Sequence, residues 1–229
     1  MRVLVVAATI EEITPLGLVV RHAHQERPTL SLSQLRGDRR HDVDVLLTGV
    51  GMVAAAARTS TALARTRYEL ALNLGLCGSF DPALSPGSVV HVVSDRLPEL
   101  GAEDGETFLT IQELGLLDEN AEPFSGGRLV NASPPSNPML HALPAVQGIT
   151  VNTVHGSERS IAETVRRFAP QVESMEGAGF MYACLIHKVP FAQVRSVSNV
   201  VERRNRGAWK VEEAVARLCR VATDVLDAA

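Results

Sequence analysis

The chain has 229 residues, 45% of them hydrophobic and 21% charged, and a net charge of −4. That length and balance suit one soluble domain with a sizeable core, and they provide no general basic field for nucleic acid or an anionic membrane. Three cysteines make no disulfide framework and fit a reducing cytoplasm, and no segment approaches the ~20 apolar residues of a membrane helix.

The first run, Val3–Val6, is continuously apolar rather than alternating. Such a run fits a strand buried on both faces. Val43–Leu47, Leu70–Leu74, Val89–Val93, Ile149–Val154 and Phe191–Val197 read the same way. Helical stretches separate them. Met52–Arg67 is Ala-rich and follows the turn Gly49-Val50-Gly51. Ser160 and Glu163 make a capping box, with Ile161, Val165 and Phe168 on one face behind it. Val211, Val215, Leu218, Ala222 and Val225 recur at helical spacing. Residues 96–148 are richer in turn-formers and read as loops and short helices, a flap or an oligomer surface. Strands alternating with helices predict a three-layer α/β/α fold over residues 1–229 as a single domain.

Four polar clusters stand at strand ends, where α/β folds place ligands. In Ala8-Thr9-Ile10-Glu11-Glu12-Ile13 a carboxylate could act as a base on water, or could simply favour the first turn of a helix. In Asn73-Leu74-Gly75-Leu76-Cys77-Gly78-Ser79 the glycines admit a planar ligand, or make a plain turn after the strand. Cys77 has no partner base and reads as a small buried thiol. In Ser174-Met175-Glu176-Gly177-Ala178-Gly179-Phe180 a carboxylate could accept from vicinal hydroxyls and favour a ribosyl cation, or could charge the N-terminus of a tightly packed helix. In Arg195-Ser196-Val197-Ser198-Asn199 the Asn could meet a purine edge, or occupy a turn. His22 and His24 have no ligand set around them and read as surface residues, so neither a metal nor a cofactor is expected. The turn Gly49-Val50-Gly51 lacks the third glycine of a dinucleotide fingerprint.

In this order the four clusters resemble the purine nucleoside phosphorylase/nucleosidase superfamily over nearly the whole chain. SMEGAGF and RSVSNVV resemble its methylthioadenosine/S-adenosylhomocysteine nucleosidase branch. ELGAEDGETF (99–108), TVNTVHGS (150–157) and SNVVERRNRGAW (198–209) resemble its futalosine hydrolases. The resemblance implies a nucleoside phosphorylase-like fold with a central mixed twisted sheet, and an N-ribosyl hydrolase that takes a purine nucleoside and water, in a homo-oligomer whose neighbour closes part of the site. It implies that Glu12 polarises the water, with Arg195 beside it. Met175 and Glu176 then hold the ribose, Gly78, Thr153 and Val154 line the purine, and Asn199 meets N7.

Two positions depart from the nucleosidase pattern. Asn199 replaces the aspartate of the adenine-specific enzymes. An amide N–H donates to N7 and O6 of a 6-oxopurine, so Asn199 points to hypoxanthine as the leaving base. Leu76 replaces a serine that helps hold the water, a task left to Ser79 or backbone groups. Phosphorylases of the superfamily carry an arginine where this chain has Asn73, and a glycine-rich, arginine-containing loop where it has Thr9-Ile10-Glu11-Glu12. Both differences favour water over phosphate as nucleophile. For the acid end of futalosine, Arg203, Arg204 and Arg206 are the electrostatic candidates, against a solvated basic turn.

Overall fold

A computed structural model describes residues 1–16, 29–32 and 41–229. His22 and His24 lie outside these residues. The strands are β1 (Arg2–Ala7), β2 (Thr29–Leu32), β3 (Asp42–Leu47), β4 (Leu70–Ser79), β5 (Val89–Asp95), β6 (Gly101–Asp104), β7 (Thr107–Thr110), β8 (Phe124–Ser125), β9 (Arg128–Val130), β10 (Ala145–Thr150), β11 (Val172–Ser174) and β12 (Phe191–Val200). The helices are α1 (Met52–Arg65), α2 (Pro138–His141), α3 (Glu158–Phe168), α4 (Gly177–His187) and α5 (Val211–Asp227).

The main sheet runs β2-β3-β1-β4-β11-β10-β5-β9-β8, and β12 pairs with both β4 and β5. Strands β4, β11, β10, β5 and β12 therefore pair in a closed cycle. Parallel pairs (β1 with β3 and β4, β12 with β4, β10 with β5 and β11) coexist with antiparallel ones, so the sheet is mixed as expected. The apolar runs sit in its middle because both faces are covered. On one side Leu218, Ala222 and Val225 of α5 pack with Val3, Val5, Leu72 and Val194. On the other, Phe180, Met181 and Cys184 of α4 pack with Leu4, Val6 and Ala71. Helix α4 is apolar on every side, as befits a helix held between a sheet and a neighbouring helix, here α1.

Three local expectations change. Gly75 and Gly78 do not turn the chain; they lie inside the ten-residue strand β4. The strand expected over Ile149–Val154 stops at Thr150, leaving Thr153 and Val154 in irregular backbone. Helix α3 starts three residues before the expected box: Ser157 is its N-cap and its hydroxyl accepts from the Ser160 N–H. Thr164 and Phe168 are its buried residues, while Val165 is exposed. Residues 96–148 hold short hairpins, β6–β7 and β8–β9, as well as loops and α2.

Candidate active site

The residues after β1 turn sharply, and Glu12 reaches back over the turn. Its Oε2 accepts from the N–H of Ala8 (2.9 Å) and of Thr9 (3.1 Å), and its Oε1 from the N–H of Leu76 (3.3 Å). Burial pushes the Glu12 carboxyl above its usual 4.5. The Arg195 charge and the Thr9 and Leu76 amides pull the other way, and Glu176 adds a smaller upward push. The net result is a base closer to neutrality than a free carboxylate. Glu11, its neighbour, is exposed.

Arg195, 1% exposed, projects from β12 across β4. It faces Gly75 in register, and that pairing explains the glycine. A Cβ at Gly75 would lie 2.1 Å from Arg195 Nη1 and 3.1 Å from Glu12 Oε1. The guanidinium occupies the space a side chain would take. Its Nη2 donates to Asn73 Oδ1 (2.6 Å), its Nε to Gln193 Oε1 (3.1 Å), and its Nη1 lies 3.5 Å from Glu176 Oε2.

These contacts fix the polarity of a longer chain. Arginine only donates, so Gln193 must turn its oxygen to Arg195 and its nitrogen to Asp95 Oδ2 (3.2 Å). Asp95 also accepts from Thr150 Oγ1 (3.0 Å) and the Arg96 N–H (2.8 Å). Thr150 Oγ1 in turn accepts from the N–H of Ala178 in the first turn of α4 (2.7 Å). Burial pushes the Asp95 carboxyl up to about 6, against the pull of Gln193, Thr150 and Arg195. The Asn73 amide is oriented likewise, its nitrogen donating to Val6 O (3.0 Å).

Glu176 stands at the N-cap of α4 but does not cap its own helix. Its Oε1 accepts from the N–H of Gly51 (3.1 Å), the N-cap of α1. Gly51 has φ 101°, which a side chain would strain. The small residues behind Glu176 also have a structural task. A Cβ at Gly177 would meet Gln193 Oε1 at 2.3 Å, and one at Gly179 would meet Met52 O at 2.2 Å. Tight helix packing and a placed carboxylate are therefore consequences of one motif.

At the other end of the site Asn199 faces Gly78 in register. The Ser198 hydroxyl donates to Asn199 Oδ1 (2.8 Å), and one N–H of the amide donates to Val200 O (3.0 Å). Its second N–H remains for another acceptor. A chain whose first strand leads into the turn that carries Glu12, and whose last strand carries Arg195 and Asn199, matches a family model described as the phosphorylase superfamily over residues 2–229. The chain belongs to that superfamily. It is 33% identical over 187 residues to the futalosine hydrolase of Streptomyces coelicolor, covering 76% of this chain and 74% of that one. It is 29% identical over 202 residues to a 5'-methylthioadenosine/S-adenosylhomocysteine nucleosidase of Tolumonas auensis, covering 83% and 84%. The solved futalosine hydrolase of Helicobacter pylori superposes with a TM-score of 0.79 at 15% identity, covering 99% and 97%. The expected nucleoside phosphorylase-like fold and the expectation of an N-ribosyl hydrolase agree with these relatives.

Within this superfamily fold the expected residues fall into two groups. Glu12, Arg195 and Glu176 meet at one end, with Gly51, Asn73, Gly75 and Gln193 holding them. Asn199 and Gly78 lie together at the other. Met175 and Val154 are half-buried and Thr153 is exposed. Ser79, one candidate for holding the water, turns its hydroxyl to Asp81 O and Gln171 O, while backbone N–H groups hold the Glu12 carboxylate. Cys77 is a buried free thiol, pushed up to about 12 by burial, which disfavours the thiolate. The sequence reading missed Asp95, Thr150 and Gln193. Thr150 and Gln193 each interrupt an apolar run as a lone polar residue, and Asp95 follows Ser94 just after one; those interruptions were their signal.

Proposed function

We propose that the chain hydrolyses the N-glycosidic bond of futalosine, releasing hypoxanthine and dehypoxanthine futalosine in menaquinone biosynthesis, as a cytoplasmic homo-oligomer. The reading rests on the carboxylate of Glu12. The N–H groups of Ala8 and Thr9 follow the first strand, where a phosphate cradle would need free donors. Here both donate to Glu12 Oε2. A carboxylate in that place repels phosphate, and Oε1, less tightly held, is free to accept a proton from water.

The remaining residues divide the reaction by charge. Glu176, fixed by Gly51, accepts from the ribose hydroxyls and favours the cationic, oxocarbenium-like transition state. Arg195 keeps Glu12 and Glu176 from repelling one another and is held off the nucleophile by Asn73 and Gln193. Met175 packs on the sugar. Gly78, Thr153 and Val154 line the base, and Asn199 stabilises the charge that grows on N7 and O6 as the bond breaks.

Preference for futalosine over a methylthioadenosine-type substrate is supported by a convergence. The stretches 99–108, 150–157 and 198–209 are far apart in sequence, yet they meet at one rim. Glu99 Oε2 accepts from the Asn152 N–H (2.7 Å), and the Arg204 N–H donates to Gly156 O (3.3 Å). Arg204 thereby stands beside the segment 150–157, its guanidinium over the Trp209 ring (5.8 Å).

Futalosine, inosine and methylthioadenosine offered separately to the purified protein test the substrate. Rapid release of hypoxanthine from futalosine, with methylthioadenosine untouched, is the expected result. Adenine released from methylthioadenosine, with futalosine untouched, would reject it.

A further inference from the structure

Asp95, at the end of β5, is 1% exposed and stands at the far end of a line of hydrogen bonds that leads to Arg195. Its two oxygens have different partners. Oδ1 accepts from the Arg96 N–H (2.8 Å) and the Thr150 hydroxyl (3.0 Å). Oδ2 accepts from Gln193 Nε2 (3.2 Å), and the same nitrogen reaches Met181 Sδ (3.1 Å). Gln193 Oε1 then accepts from Arg195 Nε (3.1 Å).

The fold keeps room for this pair. A Cβ at Gly177 would meet Gln193 Oε1 at 2.3 Å and Asp95 Oδ2 at 2.4 Å. Gly177 directly follows Glu176, so amide and carboxylate fill the space a side chain would take beside the N-cap of α4. The guanidinium at the other end has little freedom of its own. Arg195 is 1% exposed, its Nη2 donates to Asn73 Oδ1 (2.6 Å), its Nη1 lies 3.5 Å from Glu176 Oε2, and its charge acts on Glu12.

We infer that Asp95 and Gln193 are positioning residues that aim Arg195: the carboxylate accepts from the amide, and the amide, so turned, offers Arg195 Nε its acceptor. The inference rests on the roles given above to Glu12, Arg195 and Glu176. The line works in one direction only. A backbone N–H at one end and a guanidinium at the other can only donate, so the two side chains between them must present an acceptor at each end and one donor in the middle. A carboxylate and an amide meet that demand, and two amides do not. In Asp95→Asn the new amide keeps its oxygen on the Arg96 N–H and turns its NH2 to Gln193. Two donors then face one another there, or, if Gln193 turns over, at Arg195 Nε. Either contact is buried and unsatisfied, and Arg195 loses its aim between Glu12 and Glu176. Adding Gln193→Glu reverses the pair: the new carboxylate accepts from the new amide and from Arg195, and the net charge is that of the wild type.

The wild type, Asp95→Asn and the double variant Asp95→Asn with Gln193→Glu are compared. Each is assayed with whichever of futalosine, inosine and methylthioadenosine the wild type turns over fastest, so the outcome is independent of which is the substrate. The expected results are a kcat about tenfold lower or more in Asp95→Asn, with KM changed less, and a return to within about threefold of the wild type in the double variant. Exchange of the Arg195 Nε–H proton with solvent, followed by NMR, should quicken in Asp95→Asn and slow again in the double variant. That readout needs no turnover, so a failure of the hydrolase reading leaves it intact and is told apart. An unchanged kcat in Asp95→Asn, or a double variant no faster than the single one, overturns the inference. A lowered melting temperature with kcat intact would make the line structural only. Gln193→Met, close in size and with no group to accept from Arg195, cuts the line at its middle if Asp95→Asn does not fold; wild-type kcat in that variant overturns the inference as well.

Discussion

At the scale of single residues the account turns on which groups touch and which have no room to. Glu12→Gln keeps the shape of the side chain and removes the base, so kcat should fall by about 10²–10⁴-fold with little change in melting temperature; near-normal turnover would remove Glu12 from the mechanism. Because burial raises the Glu12 carboxyl above 4.5, and a base works only when deprotonated, activity should be lost on acidification at a pH above 4.5. An acid limb of kcat/KM at or below 4.5 would contradict this. Asn199→Asp should shift turnover toward adenine nucleosides, as measured by the ratio of kcat/KM for inosine and adenosine; an unchanged ratio would detach base choice from that position. Gly75→Ala has to displace a buried guanidinium. It should cost about 1–3 kcal/mol of stability and most of the activity.

The charged residues that lie together, Glu12, Arg195 and Glu176, were legible in the sequence because acids and arginines stand out at strand ends. The residues that place them were less so. Gly75 and Gly78 looked like a turn because glycine weakens strands. In β4 they are instead the positions where a neighbouring strand's side chain fills the missing volume. Gln193 and Thr150 sit inside apolar runs, and nothing in a linear pattern says that they join Asp95 from a third strand.

At the scale of elements that buried chain has a pH signature. The Asp95 carboxyl moves from 3.8 to about 6 on folding. The folded state therefore holds this proton more tightly than the unfolded one. The stability it contributes is fully present below 3.8 and is lost as pH rises through 6. Comparison of the wild type with Asp95→Asn by denaturant unfolding should show the wild type losing about 3 kcal/mol relative to the variant between pH 3.5 and 6.5, as roughly two pKa shifts of one unit require. A constant difference would mean that Asp95 is not buried as an acceptor. The same chain reaches the first turn of α4 through Thr150, so the helix that carries Glu176 at its N-cap is tied to the strand that carries Arg195. Element types were readable from periodicity, but ends were not. Ser157 and Ser160 both precede acceptable helical turns, and it is Ser157 that caps α3, its hydroxyl accepting from the Ser160 N–H.

At the scale of the molecule, the closed cycle of β4, β11, β10, β5 and β12 gathers the site. It brings Gly75 and Gly78 of one strand against Arg195 and Asn199 of another, while β1 delivers Glu12 alongside. A sheet covered on both faces was expected from its apolar strands, whereas its closure was not, because pairing between β5 and β12 joins strands about a hundred residues apart. No described helix is long and apolar enough to cross a membrane. This arrangement is proposed to activate water rather than to admit phosphate. The sugar product of futalosine turnover, identified by mass spectrometry with and without phosphate in the buffer, decides between the two. Free sugar, formed at the same rate in both buffers, is the predicted result. Turnover that requires phosphate and yields a sugar phosphate would contradict it.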